Sequence, residues 1–206
     1  MNFPKQVNLN HSRLLAASGC KCPSCGEAVS ADAKWCGSCG FTGGDSVVLF
    51  PDSPPPLLSV LDAAELWTPD DIALIEASRR KLRVRFPQFR FRVFTVVLPA
   101  ETILPVFGFW LLNACPLNDS ESAGDRSWTV LLLINAHTGM ATVIPGYSAE
   151  HWLSEDDWLK ALNSMASGWK AGETAKSVSR FFTSCGALLD RSWKRRGMES
   201  FNKSSP

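Results

Sequence analysis

Tyrosine and histidine are scarce in this sequence, charge is nearly balanced, and no apolar stretch runs far without a break. Tyr147 is the single tyrosine, and His11, His137 and His151 are the only histidines. Few side chains can therefore exchange protons near neutral pH, and histidine-based catalysis has little to draw on. His137 lies in Asn135-Ala136-His137-Thr138-Gly139, a turn that presents it to solvent, and His151 adjoins Glu150 as a surface cap residue. Tyr147, after Gly146, reads as a ring packed against a neighbouring helix. No Gly-x-Ser-x-Gly elbow, phosphate-cradling glycine loop or dinucleotide fingerprint occurs. The longest apolar stretch, residues 103–115, is too short to span a bilayer and is interrupted by Pro105 and Gly108. A net charge of +1 over 206 residues creates no field that would drive the whole chain onto nucleic acid or an anionic membrane. Residues 1–17 include Lys5, Asn8, Asn10, His11 and Arg13 and hold no apolar run of secretory length. The expectation is a cytoplasmic chain with reduced thiols and no membrane span.

Cysteine is present in a telling pattern. Cys22-Pro23-Ser24-Cys25 and Cys36-Gly37-Ser38-Cys39 face each other across ten residues, and each is followed by glycine, Gly26 and Gly40. Such a Cys-x-x-Cys-Gly segment forms a knuckle in which backbone N–H groups point at the thiolates and the glycine takes a left-handed turn. Two knuckles supply the four sulfurs that a structural zinc prefers. A disulfide framework needs an oxidising compartment, and a redox dithiol would lie between a strand and a helix rather than in a short Gly/Ser-rich segment. Cys20 is out of knuckle register, and Cys115 and Cys185 sit in apolar helical patterns as small core residues. The segment resembles the short zinc ribbons found at the head of many bacterial proteins, through Cys-Pro-x-Cys-Gly and then residues 33–41. In that resemblance Trp35 and Phe41 pack on the ribbon, and the zinc, closed by four sulfurs, holds structure without chemistry.

Composition divides the chain further. With 45% hydrophobic and 20% charged residues it is an ordinary globular sequence. The reading is an extension over residues 1–19, the ribbon over 20–42, a Pro/Gly-rich linker over 43–56, an α/β domain over 57–194 and a polar tail over 195–206. Residues 47–50 are expected as a short strand within the linker. Thr68-Pro69-Asp70-Asp71 opens a helix with Ile72, Ile75, Leu82 and Phe86 as its stripe, stopped by Pro87. Residues 89–98 form a strand in which Phe89, Phe91 and Val93 alternate with Arg90 and Arg92. A helix follows from residue 103, then a central apolar strand over 128–135 and its hairpin partner over 140–144. Ser154 caps a helix with Asp157 in the box position, and a last helix spans about 173–193. Helices on both faces of a mixed sheet follow, a three-layer α/β/α sandwich preceded by a small four-cysteine zinc ribbon.

Residues 57–193 resemble the TPM domain, the family of the thylakoid acid phosphatase involved in photosystem II repair. Arg85-Phe86-Pro87-Gln88, Phe107-Gly108-Phe109-Trp110-Leu111-Leu112-Asn113 and Val130-Leu131-Leu132-Leu133-Ile134 carry the likeness. So does Gly146-Tyr147-Ser148-Ala149-Glu150 with Leu153-Ser154-Glu155, against a family pattern of Gly-Tyr-Gly-Leu-Glu and Leu-Thr-Asp. The resemblance implies the same three-layer sandwich. It also implies a carboxylate site for calcium or magnesium and phosphatase-like activity, onto which Glu150 and Glu155 map. The family's Asp-Asn-Gly is replaced by Ser127-Trp128-Thr129, with Asp125 displaced by two residues. Losing one carboxylate removes much of the affinity for a hard cation, so the site reads as degenerate.

The dense basic run of Arg79, Arg80, Lys81, Arg83, Arg85, Arg90 and Arg92 reads as a solvated helix face with an exposed strand end. The resulting expectation is a zinc-ribbon protein, non-enzymatic or vestigially enzymatic, that works as a protein-interaction or regulatory module. A metal-dependent phosphatase-like hydrolase using Asp125, Glu150 and Glu155 and a nucleic-acid-binding ribbon aided by the arginine run stand as alternatives.

Overall fold

The computed structural model describes residues 20–115 and 123–203. The extension over 1–19, residues 116–122 and the last residues of the tail lie outside them. The chain divides into two compact units between Ser53 and Pro54.

The first unit holds a two-stranded antiparallel pair, β1 (Cys20–Lys21) with β2 (Ala28–Val29), and a helix, α1 (Gly43–Leu49). The helix corrects the strand expected at residues 47–50. Its cause is a capping box: the Thr42 hydroxyl accepts the Asp45 amide (3.3 Å), and the Asp45 carboxylate accepts the Thr42 amide (2.7 Å). Gly43 and Gly44, which resemble linker residues, form its first turn.

The second unit is a mixed α/β sandwich. Its sheet runs β3 (Val60–Asp62), β4 (Arg90–Val96), β5 (Thr129–Asn135), β6 (Met140–Pro145) in spatial order, with β3, β4 and β5 parallel and β6 antiparallel. β3 is not apparent in the sequence, because three half-buried edge residues carry little pattern. β5 is central and buried along its whole length, as its continuous apolar run requires.

The pleat sends alternate residues to two helical layers. Phe89, Phe91, Val93, Val130, Leu132 and Ile134 share one core with α2 (Pro69–Arg85), α6 (Glu155–Lys170) and α7 (Thr174–Lys203). On the other face, Phe94 stacks on Phe107 of α3 (Leu104–Ala114), with ring centroids 6.4 Å apart. Two short helices, α4 (Ala123–Ser127) and α5 (Tyr147–Glu150), flank β5 and β6. The helix expected to close near residue 193 continues to Lys203, since Lys194, Arg195, Arg196, Met198 and Glu199 favour helix and no proline intervenes. Among the described residues no helix is long and apolar enough to cross a membrane.

Candidate metal centre

Each Cys-x-x-Cys-Gly segment folds on its own backbone in the same way. The Gly26 amide donates to the Cys22 carbonyl (2.9 Å), and the Cys22 amide to the Glu27 carbonyl (2.8 Å). The Gly40 amide donates to the Cys36 carbonyl (2.8 Å), and the Cys36 amide to the Phe41 carbonyl (2.9 Å). Gly26 and Gly40 sit at φ +79° and +76°, a conformation in which a side chain would be strained. The pairing of Lys21 with Ala28 recurs fourteen residues on as the bridge of Trp35 with Thr42. The unit is thus two copies of one knuckle facing each other.

Facing knuckles bring the four sulfurs together. Cys22 Sγ lies 3.7 Å from Cys39 Sγ, Cys25 Sγ lies 3.6 Å from Cys36 Sγ, and all four fall within 4.8 Å of one another. A zinc–sulfur bond of about 2.3 Å puts the edges of a tetrahedron at about 3.8 Å, so the sulfurs stand where a zinc ion would hold them. A disulfide would need about 2.05 Å. Cys20 stays outside the group.

The protons on these thiols make the same point. Hydrogen bonds from the Cys39 and Ser38 amides pull the Cys36 thiol down to about 7. The Glu27 amide acts in the same sense on Cys25, but desolvation and the neighbouring Cys39, Cys36 and Cys22 outweigh it and push that thiol up to about 12. Burial pushes Cys22 up against the amides of Cys25 and Ser24. Four thiolates this close repel one another unless a cation sits among them. The donor set suits a closed, structural metal such as zinc.

Phe41 is buried as expected, but Trp35 is 60% exposed. Trp35 takes the place that Lys21 holds in the first knuckle, a solvent-facing one. Val48 and Leu49 on α1 are exposed as well.

The acidic candidates lie near the end of the sheet where β5 begins and β6 ends. Asp125 is in α4, Glu150 closes α5 and Glu155 opens α6. The Asp125 carboxylate accepts from Arg90 Nη2 at 2.9 Å. Among the described residues, the four cysteines are the one group of three or more Cys, His, Asp or Glu ligand atoms gathered as a metal would need; Asp125, Glu150 and Glu155 form no such group. The two loops are closed against each other: the Gly146 amide donates to the Thr129 carbonyl (2.7 Å) and the Ser148 hydroxyl to Ser127 (2.9 Å). Trp128 points to the core, edge-on to Phe89 at 5.3 Å. His151 and His137 are exposed, and Tyr147 is half-buried.

The basic run departs from its expected solvated character at two positions. Arg79 and Arg92 are buried, 9% and 8% exposed. Glu76 accepts from Arg79 Nε (3.0 Å) and Nη2 (2.8 Å), and Arg92 donates to the Leu57 carbonyl. Burial, and then the charge of Arg79, lowers the Arg92 guanidinium from its ordinary value. The sequence held one signal of this: Arg79 falls on the Ile75–Leu82 stripe of α2 at helical spacing. Cys115 and Cys185 are buried as expected, and burial raises the Cys115 thiol to about 11.

The fold and the sulfur cluster define a mixed α/β protein with a four-cysteine centre able to hold a metal such as zinc. No family model matches the chain, and no curated protein matches it. Among the solved structures similar to it are the following. The N-terminal domain of the cg2496 protein from Corynebacterium glutamicum is 13% identical with a TM-score of 0.49, covering 63% of this chain and 78% of that one. The N-terminal domain of a protein from P. gingivalis is 19% identical, TM-score 0.47, covering 74% and 93%. The BA42 protein from the psychrophilic bacterium Bizionia argentinensis is 14% identical, TM-score 0.47, covering 63% and 86%.

Proposed function

We propose that this protein is a zinc-stapled interaction or regulatory module, in which a four-cysteine ribbon precedes a TPM-like domain that works by contact rather than by catalysis. The observation that carries the metal assignment is the pair of sulfur separations, 3.6 and 3.7 Å, between two identically folded knuckles. Cys22, Cys25, Cys36 and Cys39 fill the coordination shell, so the zinc stabilises the fold and offers no position to a substrate. A reducing compartment such as the cytoplasm suits four free thiols. Exposed Trp35, Val48 and Leu49 support a protein partner for the first unit, since such residues are costly to leave in water.

The hydrolase alternative, with calcium or magnesium on Asp125, Glu150 and Glu155, has less support because Arg90 already engages Asp125. Elemental analysis of the purified chain is expected to give about one zinc per protein, lost in Cys36→Ser. The same sample, supplied with calcium or magnesium, is expected to release no phosphate from p-nitrophenyl phosphate. A chain without zinc overturns the ribbon reading, and phosphate release that Glu150→Ala abolishes overturns the non-catalytic one.

A further inference from the structure

β6 closes one side of the sheet, with β5 on its inner side; among the described residues no strand pairs with its outer edge. The ladder fixes which groups that edge offers. The Gly146 amide donates to the Thr129 carbonyl, and in an antiparallel pair every second residue turns its N–H and C=O to the neighbouring strand. Ile144 and Thr142 therefore face β5, and Ala141, Val143 and Pro145 point their backbone groups away from it. Pro145 has no N–H, so the outer edge presents the N–H and C=O of Ala141 and Val143 and one further carbonyl. Natural sheets blunt such an edge with charge, and from Met140 to Pro145 this strand carries none.

Uncovered apolar side chains flank the edge on both faces of the sheet. On the α3 face, which Ile144 shares, Met140 is 59% exposed. On the other face Ala141 and Val143 pack on the core, and α6 lies against β6. Gly168 of α6 sits against Ser177 and Arg180 of α7, which fixes the flank that α6 turns to α7. Leu159, Leu162 and Ala166, spaced i, i+3 and i+7, fall on the opposite flank. Leu159 is 53% exposed, and Ala166 is exposed too. Trp169 continues this flank, and its Nε1 lies 3.8 Å from where a Cβ on Gly139, in the β5–β6 turn, would sit. The uncovered flank thus borders the free edge.

A two-fold axis perpendicular to the sheet sets β6 antiparallel to its own copy, and the backbone selects the register. Centred on Ala141, the pairing puts Val143 opposite Gly139, whose N–H is already given to the Asn135 carbonyl. Centred on Val143, it puts Ala141 opposite Pro145, which has no N–H to give. Centred on Thr142, Ala141 and Val143 of each copy exchange both N–H···O bonds with Val143 and Ala141 of the other. This register also sets Met140 opposite Ile144 and brings the two α6 flanks side by side, so the apolar groups on both faces are covered. An isologous contact puts like against like, and a strand without charge does not repel its copy. An unrelated peptide would satisfy the edge's hydrogen bonds without needing this symmetry.

We propose that two copies of this chain associate through β6, antiparallel and with Thr142 opposite Thr142, into one sheet continuous through both. β6 belongs to the second unit, so the contact is independent of the metal assignment. The test is sedimentation velocity of the full chain from about 1 µM to about 200 µM, across which the mass is expected to rise to that of two chains. Thr142→Glu and Thr142→Arg each set like charges against each other across the axis and are expected to weaken association on the order of 100-fold. An equimolar mixture of the two variants is expected to restore it, because Glu then faces Arg. Neither a misfolded variant nor contact through another surface gives that rescue. In the parent chain, the Ala141 and Val143 amides are expected to exchange hydrogen more slowly as concentration rises. A parent chain that stays monomeric throughout overturns the proposal and leaves the edge to a strand from a different protein. A dimer that both variants retain, a mixture that stays monomeric, or exchange at Ala141 and Val143 that ignores concentration overturns it as well.

Discussion

Single residues set the close approaches in this protein. A Cβ on Gly146 would lie 2.5 Å from the Ser127 carbonyl oxygen and 2.6 Å from that of Arg126. Both are backbone atoms that cannot swing away, so the Gly-Tyr pair that resembles a family motif has a plain steric role here. Gly146→Ala is expected to destabilise the second unit by about 1–3 kcal/mol, read as a lower urea midpoint at unchanged slope. Gly108 is the counterpart on the opposite layer: its Cβ would meet Ile144 Cγ1 at 2.5 Å, which is how α3 comes so close to β6. Arg90 shows the same scale working on charge. Its guanidinium stands against Asp125 at 2.9 Å, and this one contact weighs against reading Asp125 as a cation ligand.

At the scale of elements, local chemistry explains where helices begin. Thr42, Thr68 and Ser154 each cap a helix, with Asp45, Asp71 and Asp157 completing the box. Burial alone would raise Asp157, but hydrogen bonds from Ser154 and Lys160 hold it below the ordinary carboxylate value. A carboxylate depressed in the folded state stabilises the fold at pH above its unfolded value, and that contribution disappears as pH falls through the folded value. Asp157→Asn is therefore expected to lower the thermal midpoint at neutral pH, with the gap from the parent protein closing below about pH 4; calorimetry at both pH values checks it. Such boxes lie within four residues of chain, and those at Thr68 and Ser154 are legible without a structure. The box at Thr42 is equally local, yet the glycine pair behind it resembles a linker. β3 is short and half-buried, and its only strong partner is β4, thirty-three residues away by register, so nothing in its own composition announces it.

At the scale of the whole molecule, the two units rest on different forces. The large core is built from residues Val60 onward, with Phe89, Phe181, Phe182 and the β5 leucines fully buried. Among the described residues, the first unit buries only Cys22, Val29, Cys36, Phe41 and Ser46, too little apolar surface to fold without help. Its stability is expected to come from the metal. Chelation should therefore unfold the first unit while the thermal transition of the α/β unit stays in place, which amide hydrogen exchange with and without chelator will resolve segment by segment.

The cysteine spacing, the helix caps and the apolar run of β5 could be read from the chain because each depends on residues a few positions apart, where covalent geometry leaves little choice. The three-layer arrangement followed from their order. Burial of Arg79 and Arg92, the engagement of Asp125 by Arg90, the outward turn of Trp35 and the meeting of the end of α2 with the middle of α7 belong to packing between distant segments. Those outcomes depend on which surfaces the folded chain brings into contact, and long-range contact has no local signature in the residues that make it.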